Sequence, residues 1–347
     1  MKKYVVSALL ASVVISSGSA FAAPVGTVEL DGTLQYIYRW EKNYNNTKPV
    51  PWVNGGNNIE KFILNAKTGL AKNLDAYARF GAENVSRASM GIDFYDGTAD
   101  GSKKNAASID QVGLLYQNAG WSYKLGRQDS YIGGISGLYS SIYFVGPRSS
   151  VDGVHISGKS GVTDIDFQAF QEHYSYLDDG NRVYALHASY NPTKELMLGA
   201  TVAKYDDRNK AHSYDTSTNN WAVNSSYTMG KATVFGEYGK SNASTENVTW
   251  AAGLTYVPDA KNTFNVIHYD GGMNGDLGGW QVNAAPYQPG GGGFEPDFKG
   301  MYYILDHKID KSTTATLFWR NMKALTPNQD GTIHSNDNLR VIVTYAF

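Results

Sequence analysis

The last ten residues of the chain alternate almost without a fault. Leu339, Val341, Val343, Tyr345 and Phe347 fall on one face, and Asn338, Arg340, Ile342, Thr344 and Ala346 on the other. A period of two is a strand with unlike surroundings on its two sides. The first regular stretch has the same form. Val28, Leu30, Leu34, Tyr36, Tyr38 and Trp40 share one face, Thr27, Glu29, Asp31, Thr33, Gln35, Arg39 and Glu41 share the other, and Ile37 is the exception. It spans about fourteen residues, longer than a common soluble strand. A tilted strand crossing a bilayer needs roughly 9–11 residues and can continue above it.

Between these ends the chain keeps a rhythm. Ile59–Leu70 and Leu74–Val85 form a hairpin about Ala71-Lys72-Asn73, and Ile109–Gln117 and Trp121–Gln128 form another about Asn118-Ala119-Gly120. Short turns recur near 159–161, 191–194, 229–230, 258–261 and 309–311, and longer connections separate them. Apolar faces such as Tyr184, Leu186, Ala188 and Tyr190, or Val248, Trp250, Ala252, Leu254 and Tyr256, continue the alternation, while the phase of the Phe264–Tyr269 strand stays ambiguous. The count reaches sixteen strands. An even number of antiparallel strands, with short turns at one end and long loops at the other, predicts an all-β, 16-stranded transmembrane barrel with short periplasmic turns and long extracellular loops. Aromatic residues at strand ends (Trp40, Tyr190, Tyr256, Trp319, Phe347) suit interface girdles.

Composition sharpens this. Lys2 and Lys3, an apolar run from Val5 to Ile15 and Ala20-Phe21-Ala22 read as a secretory signal peptide over residues 1–22, leaving a barrel domain over 23–347. Thirty basic residues, less Lys2 and Lys3, stand against 32 acidic ones, a formal −4 that argues against nucleic acid as a partner. An exported chain without cysteine must hold together without disulfides. A secreted β-sandwich or lectin is the bland alternative. The polar face carries Glu29, Arg39, Lys61, Arg79, Glu83 and Arg340, too much charge for a packed core but not for a watery lumen.

A barrel of sixteen strands is too wide for its own side chains to fill, so something must narrow it. The candidate is the connection after the fifth strand, where Tyr131 to Phe144 is apolar and nearly uncharged. Such a composition suits a loop folded inward against the wall. Parity points Lys61, Arg79, Glu83 and Lys124 into the lumen. Arg127 would point outward with Leu125 unless Gly126 kinks the strand.

Here the chain resembles the general Gram-negative porins. Val112-Gly113-Leu114, Gly120-Trp121, Leu125-Gly126-Arg127-Gln128, Tyr143-Phe144-Val145-Gly146-Pro147-Arg148, Ile309-Asp310-Lys311-Ser312-Thr313 and the terminal Val343-Thr344-Tyr345-Ala346-Phe347 carry the likeness. The resemblance implies an infolded third loop, with Arg127, Arg148 and Lys61 on a basic wall facing it. It implies a homotrimer joined near the first and last strands, with the Ser86–Ala106 loop reaching a neighbour. It also implies that Tyr345 and Phe347 serve as an assembly signal read by the barrel-assembly machinery. Outer-membrane lipid and lipopolysaccharide are the expected surroundings, and small hydrophilic solutes the cargo. The loop departs from the family in holding only Asp129 as an acid between Gln128 and Arg148. Tyr131, Tyr139 and Tyr143 are therefore the expected lining, and the constriction is expected to be net positive, with Glu83 the nearest compensating charge. A ring of Lys and Arg favours anions.

Catalysis finds little support. None of the seven histidines sits in a metal-ligand spacing or beside a G-x-S-x-G turn, and no cofactor or metal is implied. Outer-membrane phospholipases and proteases nevertheless share the barrel class. Asp178-Asp179-Gly180-Asn181 and Asp206-Asp207 read as loop turns rather than calcium sites, and Pro289 to Gly293 as a flexible loop. Three functions stay open: a general diffusion porin, a channel selective for anions or sugars, and a structural or adhesive barrel.

Overall fold

In the computed structural model, the described residues are 27–45, 48–49, 55–86, 105–134, 138–140, 145–146, 150–172, 181–206, 217–277, 297–327 and 331–347. The expected signal segment, Tyr143 and Arg148 lie outside them.

Sixteen long strands follow one another round a closed antiparallel wall. They are β1 (Glu29–Asn45), β2 (Gly55–Ala71), β3 (Leu74–Val85), β4 (Asn105–Asn118), β5 (Trp121–Gln128), β6 (Val151–Ser160), β7 (Thr163–Glu172) and β8 (Arg182–Tyr190). Then come β9 (Leu196–Asp206), β10 (Ser217–Met229), β11 (Ala232–Ser241), β12 (Val248–Tyr256), β13 (Asn262–Gly271), β14 (Phe298–Lys308), β15 (Thr313–Ala324) and β16 (His334–Ala346). Each strand pairs with its sequence neighbour. The first and last pair with each other from Thr33↔Ala346 to Asn45↔His334, so the sheet has no open edge.

The alternation in the sequence becomes two environments. Leu34, Tyr36 and Tyr38 of β1 and Val341, Val343 and Tyr345 of β16 stand exposed on the outer wall, while Arg39, Glu41, Asn338 and Arg340 are buried inside. Ile37, the exception to the pattern, is an inward residue that packs with Ile59, Val85 and Ile342. The ambiguous thirteenth strand resolves with Phe264 and Val266 outside and Ile267 and Tyr269 inside. Its neighbours add Phe298, Tyr302, Phe318 and Met322 to an inner apolar cluster.

The chain's end is fixed at the short-turn rim. Phe347 exchanges two backbone hydrogen bonds with Gly32, at 3.0 and 3.1 Å, and its ring stacks on Phe62 at 6.1 Å. Gly32 is required there. A Cβ would meet the Ile63 carbonyl oxygen and lie 2.7 Å from the Phe347 ring.

The third loop folds inward, as expected. Ile132, Leu138 and Tyr139 pack inside the barrel against Val151, Phe170, Val183, Ala185, Ala203, Tyr205 and Ala222. These wall residues come from β6 to β10. An apolar loop finds in this inner wall the burial that bulk water would deny it.

Candidate functional site

The loop is held at both ends and in the middle by polar side chains of the wall. Beside its start, the Ser130 hydroxyl donates to Gln168 Oε1 at 2.6 Å, and Gln168 Nε2 donates to the Tyr131 carbonyl at 2.8 Å. In the middle, the Gly134 N–H donates to Glu237 of β11, and the Leu138 carbonyl accepts from the Leu277 N–H at 2.9 Å. On its return, the Gly146 N–H donates to Asp110 Oδ2 of β4 at 2.7 Å. The loop therefore reaches from β5 to β11 and comes back to β4, across the lumen side of the wall.

Asp110 is the residue that sequence reasoning missed. It is only 1% exposed and forms a two-pronged ion pair with Arg79, at 2.7 Å from Nε and 3.0 Å from NH2. Parity hides it, because a bulge opposite Arg79 and Phe80 lets Asp110 and Gln111 both face inward. That irregularity is the only signal, and it is visible in the sequence as a polar pair interrupting alternation between Ile109 and Val112. Gly81 leaves the space for it. A Cβ there would lie 2.7 Å from Asp110 Oδ2 and 2.9 Å from Val145 on the returning loop.

Four further expected residues join this group. Asp129 lies 3.9 Å from Arg79 and 3.7 Å from Lys124. Lys61 faces Glu83 across the ladder at 3.8 Å. The Lys124 ammonium also sits over the Tyr77 ring, 4.7 Å from its centre. Three cations and three carboxylates (Lys61, Arg79, Lys124; Glu83, Asp110, Asp129) thus line β2 to β5 beside both ends of the loop.

Two expected residues stand apart. Arg127 keeps the alternation: the ladder runs through Gly126 with no register shift and pairs Arg127 with the exposed Val112 and with Asp152. Its guanidinium is held two-pronged by Asp152, at 2.9 and 3.0 Å, and lies within electrostatic reach of Asp110. Gly126 does adopt a positive φ of 121°, but the strand does not slip. Tyr139 was expected to line the lumen. It is instead 2% exposed, with its ring 5.0 Å from Phe170, and anchors the loop to the wall. An aromatic ring gains more from this apolar cluster than from water. Tyr131 remains half-buried beside it and pairs with Ser140.

Above this group lies a second one. Glu41 is shared by Arg39 and by Arg320 at 3.8 Å, and accepts from Asn336 at 2.7 Å. Arg320 also donates to Asn336 at 3.0 Å, and Arg340 to Asn338 at 2.8 Å. The arc β15–β16–β1–β2–β3–β5 therefore carries six inward cations. The facing strands are different. Asp166, Glu172 and Glu237 point inward, and β7 to β13 place no lysine or arginine on the inner face among the described residues. His155 pairs with Asp166 on this acidic side. No group of three or more metal-ligating side chains is found among the described residues.

A family profile described as Gram-negative porin matches residues 7–324. No curated protein sequence matches the chain. Among solved structures, a double mutant of the Rh. blastica porin is similar, with a TM-score of 0.56 at 10% identity, over 92% of this chain and 100% of that one. A triple mutant of the Rhodopseudomonas blastica porin gives 0.54 at 10% over the same shares. A structure titled "Asymmetric conductivity of engineered proteins" gives 0.55 at 11%, again over 92% and 100%. At these identities the likeness establishes the fold alone.

Proposed function

The chain belongs to the Gram-negative porin family and is an outer-membrane porin channel; from that premise we propose that it passes small hydrophilic solutes and ions by passive diffusion, through a lumen narrowed by the third loop. The observation that carries this reading is the loop's path, from Gln168 on β7 to Glu237 on β11 and back to Asp110 on β4. A plug would have to fill the barrel; one apolar loop laid along the wall narrows it.

The charge preference we propose is weak. The net-positive constriction expected from the sequence rested on Asp129 being the loop's single acid. Asp110, supplied by the wall, brings the described group to three against three. The lumen is polarised rather than charged in sum: a basic arc faces an acidic one, and a solute crossing it is oriented by both. Reversal potential in a salt gradient tests this. A value near zero is expected. A potential approaching that of an ideal anion or cation filter would overturn the balanced reading.

We further propose the remaining family-like features: residues 1–22 removed on export, recognition of Tyr345 and Phe347 by the assembly machinery, lipopolysaccharide as surrounding lipid, and a homotrimer. The outer face of β2 to β4 supports the last. Ala66, Ala78, Ala82 and Ala107 alternate there with Phe62, Phe80 and Ile109, leaving a shallow surface against which a second copy can lie. Cross-linking in native membranes should give a trimer. A monomer alone would contradict it.

A further inference from the structure

We propose that the lumen wall of β10 to β13, just past the third loop on the short-turn side, binds neutral sugars, with the ring of Phe235 as the stacking platform. This names a solute class for the channel and rests on the channel reading above.

The inner face changes character at one height of the wall. Asn224, Glu237, Ala251 and Ile267 are buried. One inward position nearer the short turns on each strand, Ser226, Phe235, Gly253 and Asn265 are partly exposed. The third loop reaches the wall at Glu237, which holds the Gly134 N–H. Phe235, two residues away on the same face of β11, is the first inward side chain past that contact.

Gly253 lets the Phe235 ring lie across β12. The two are register partners, and a Cβ on Gly253 would stand 2.5 Å from Cζ and 2.8 Å from Cε2 of the ring. Any side chain there would lift the ring off the wall. As it is, the ring packs against the buried cluster of Ile267, Tyr302 and Phe318 on one side and meets the lumen on the other. A ring fixed in this way loses little freedom when a solute settles on it.

The surroundings are hydroxyls and amides. Thr228 and Thr233 pair through their hydroxyls at 2.9 Å, and the Thr255 hydroxyl donates to Asn265 Oδ1 at 2.6 Å. The Asn265 amide nitrogen keeps its donors, with no partner among the described residues. On the short-turn side of Glu237, β10 to β13 turn no charged side chain to the lumen among the described residues. Such a wall offers little to an ion. A pyranose presents C–H groups on one face and hydroxyls round its rim. The C–H face suits the negative face of an aromatic ring, and the hydroxyls suit Ser, Thr and Asn.

Reversible block of single-channel current in a planar bilayer tests the site, with maltotriose as the probe and a polyethylene glycol of equal size as the control. Maltotriose should block the parent more strongly than the glycol, which has no ring face. Phe235→Leu, which keeps apolar cover over Ile267, should bind maltotriose about five- to tenfold more weakly, the worth of one aromatic contact. Asn265→Ala should bind it about fivefold more weakly, the worth of one hydrogen bond. Phe235→Tyr, which keeps the ring, should be blocked like the parent. The proposal is overturned by no maltotriose block in the parent, by parental block in Phe235→Leu or Asn265→Ala, by an equal loss in Phe235→Tyr and Phe235→Leu, or by equal block from the glycol. Conductance steps in plain salt are recorded first. Their absence in the parent would strike the channel reading and the site with it, whereas steps without maltotriose block would strike the sugar site alone.

Discussion

Gly32 and Phe347 show how much a single position decides. The ring of the last residue lies where any side chain at Gly32 would be, and the two residues clasp through paired backbone bonds. Gly32→Ala should therefore cost about 1–3 kcal/mol, the usual range for overpacking. A lower midpoint for heat conversion of the folded band on detergent gels would show it, and an unchanged midpoint would contradict it. Asp310 decides a turn in a different way. Its carboxylate accepts the Ser312 and Thr313 N–H groups at 2.8 Å each and the Thr313 hydroxyl, and the Ser312 bond first of all holds its pKa below the ordinary carboxylate value. A depressed folded pKa contributes stability while the group is ionised. The contribution is complete above the unfolded value of about 3.9 and is lost as pH falls through the folded one. Asp310→Ala should thus be less stable than the parent at neutral pH, with the gap closing in acid; a gap constant down to low pH would exclude this role.

At the scale of elements, strands and short turns were legible because each carries its own signal: a period of two, or a turn residue such as Asn73 with its positive φ. The loop's inward direction was legible from its lack of charge, but its path was not. Where a loop lands depends on partners far along the chain, Gln168, Glu237 and Asp110, and a local pattern does not mark them. The bulge that turns both Asp110 and Gln111 inward breaks the parity rule at a place where the loop's return is fixed. Tyr139 was misplaced for a related reason: an aromatic beside a lumen looks like lining until the apolar pocket behind it is seen. These anchors make the loop's position testable. Asp110→Ala would leave Arg79 buried beside the more distant Asp129 and would remove the Gly146 N–H bond to Asp110. Breaking a buried ion pair from one side costs about 3–5 kcal/mol. The expected readout is noisier, larger conductance and a higher solute size limit in liposome swelling. Tyr139→Ala, which empties a packed site, should act in the same direction; parental conductance in both would detach the loop from the constriction.

The whole molecule is a sheet closed on itself, with lipid outside and a polarised aqueous lumen inside. Closure pairs the first strand with the last, and the two environments explain why charge and apolar surface alternate with so few exceptions. The basic arc from β15 to β5 and the acidic arc from β7 to β11 arise from residues scattered through the sequence. Their opposition becomes visible only once the barrel is closed. The proposed passage of solutes rests on that arrangement. Single-channel recording of the purified protein in a planar bilayer tests it most directly. The account requires discrete conductance steps that scale nearly in proportion to the bulk salt concentration. A folded, inserted barrel that gives no steps would contradict it.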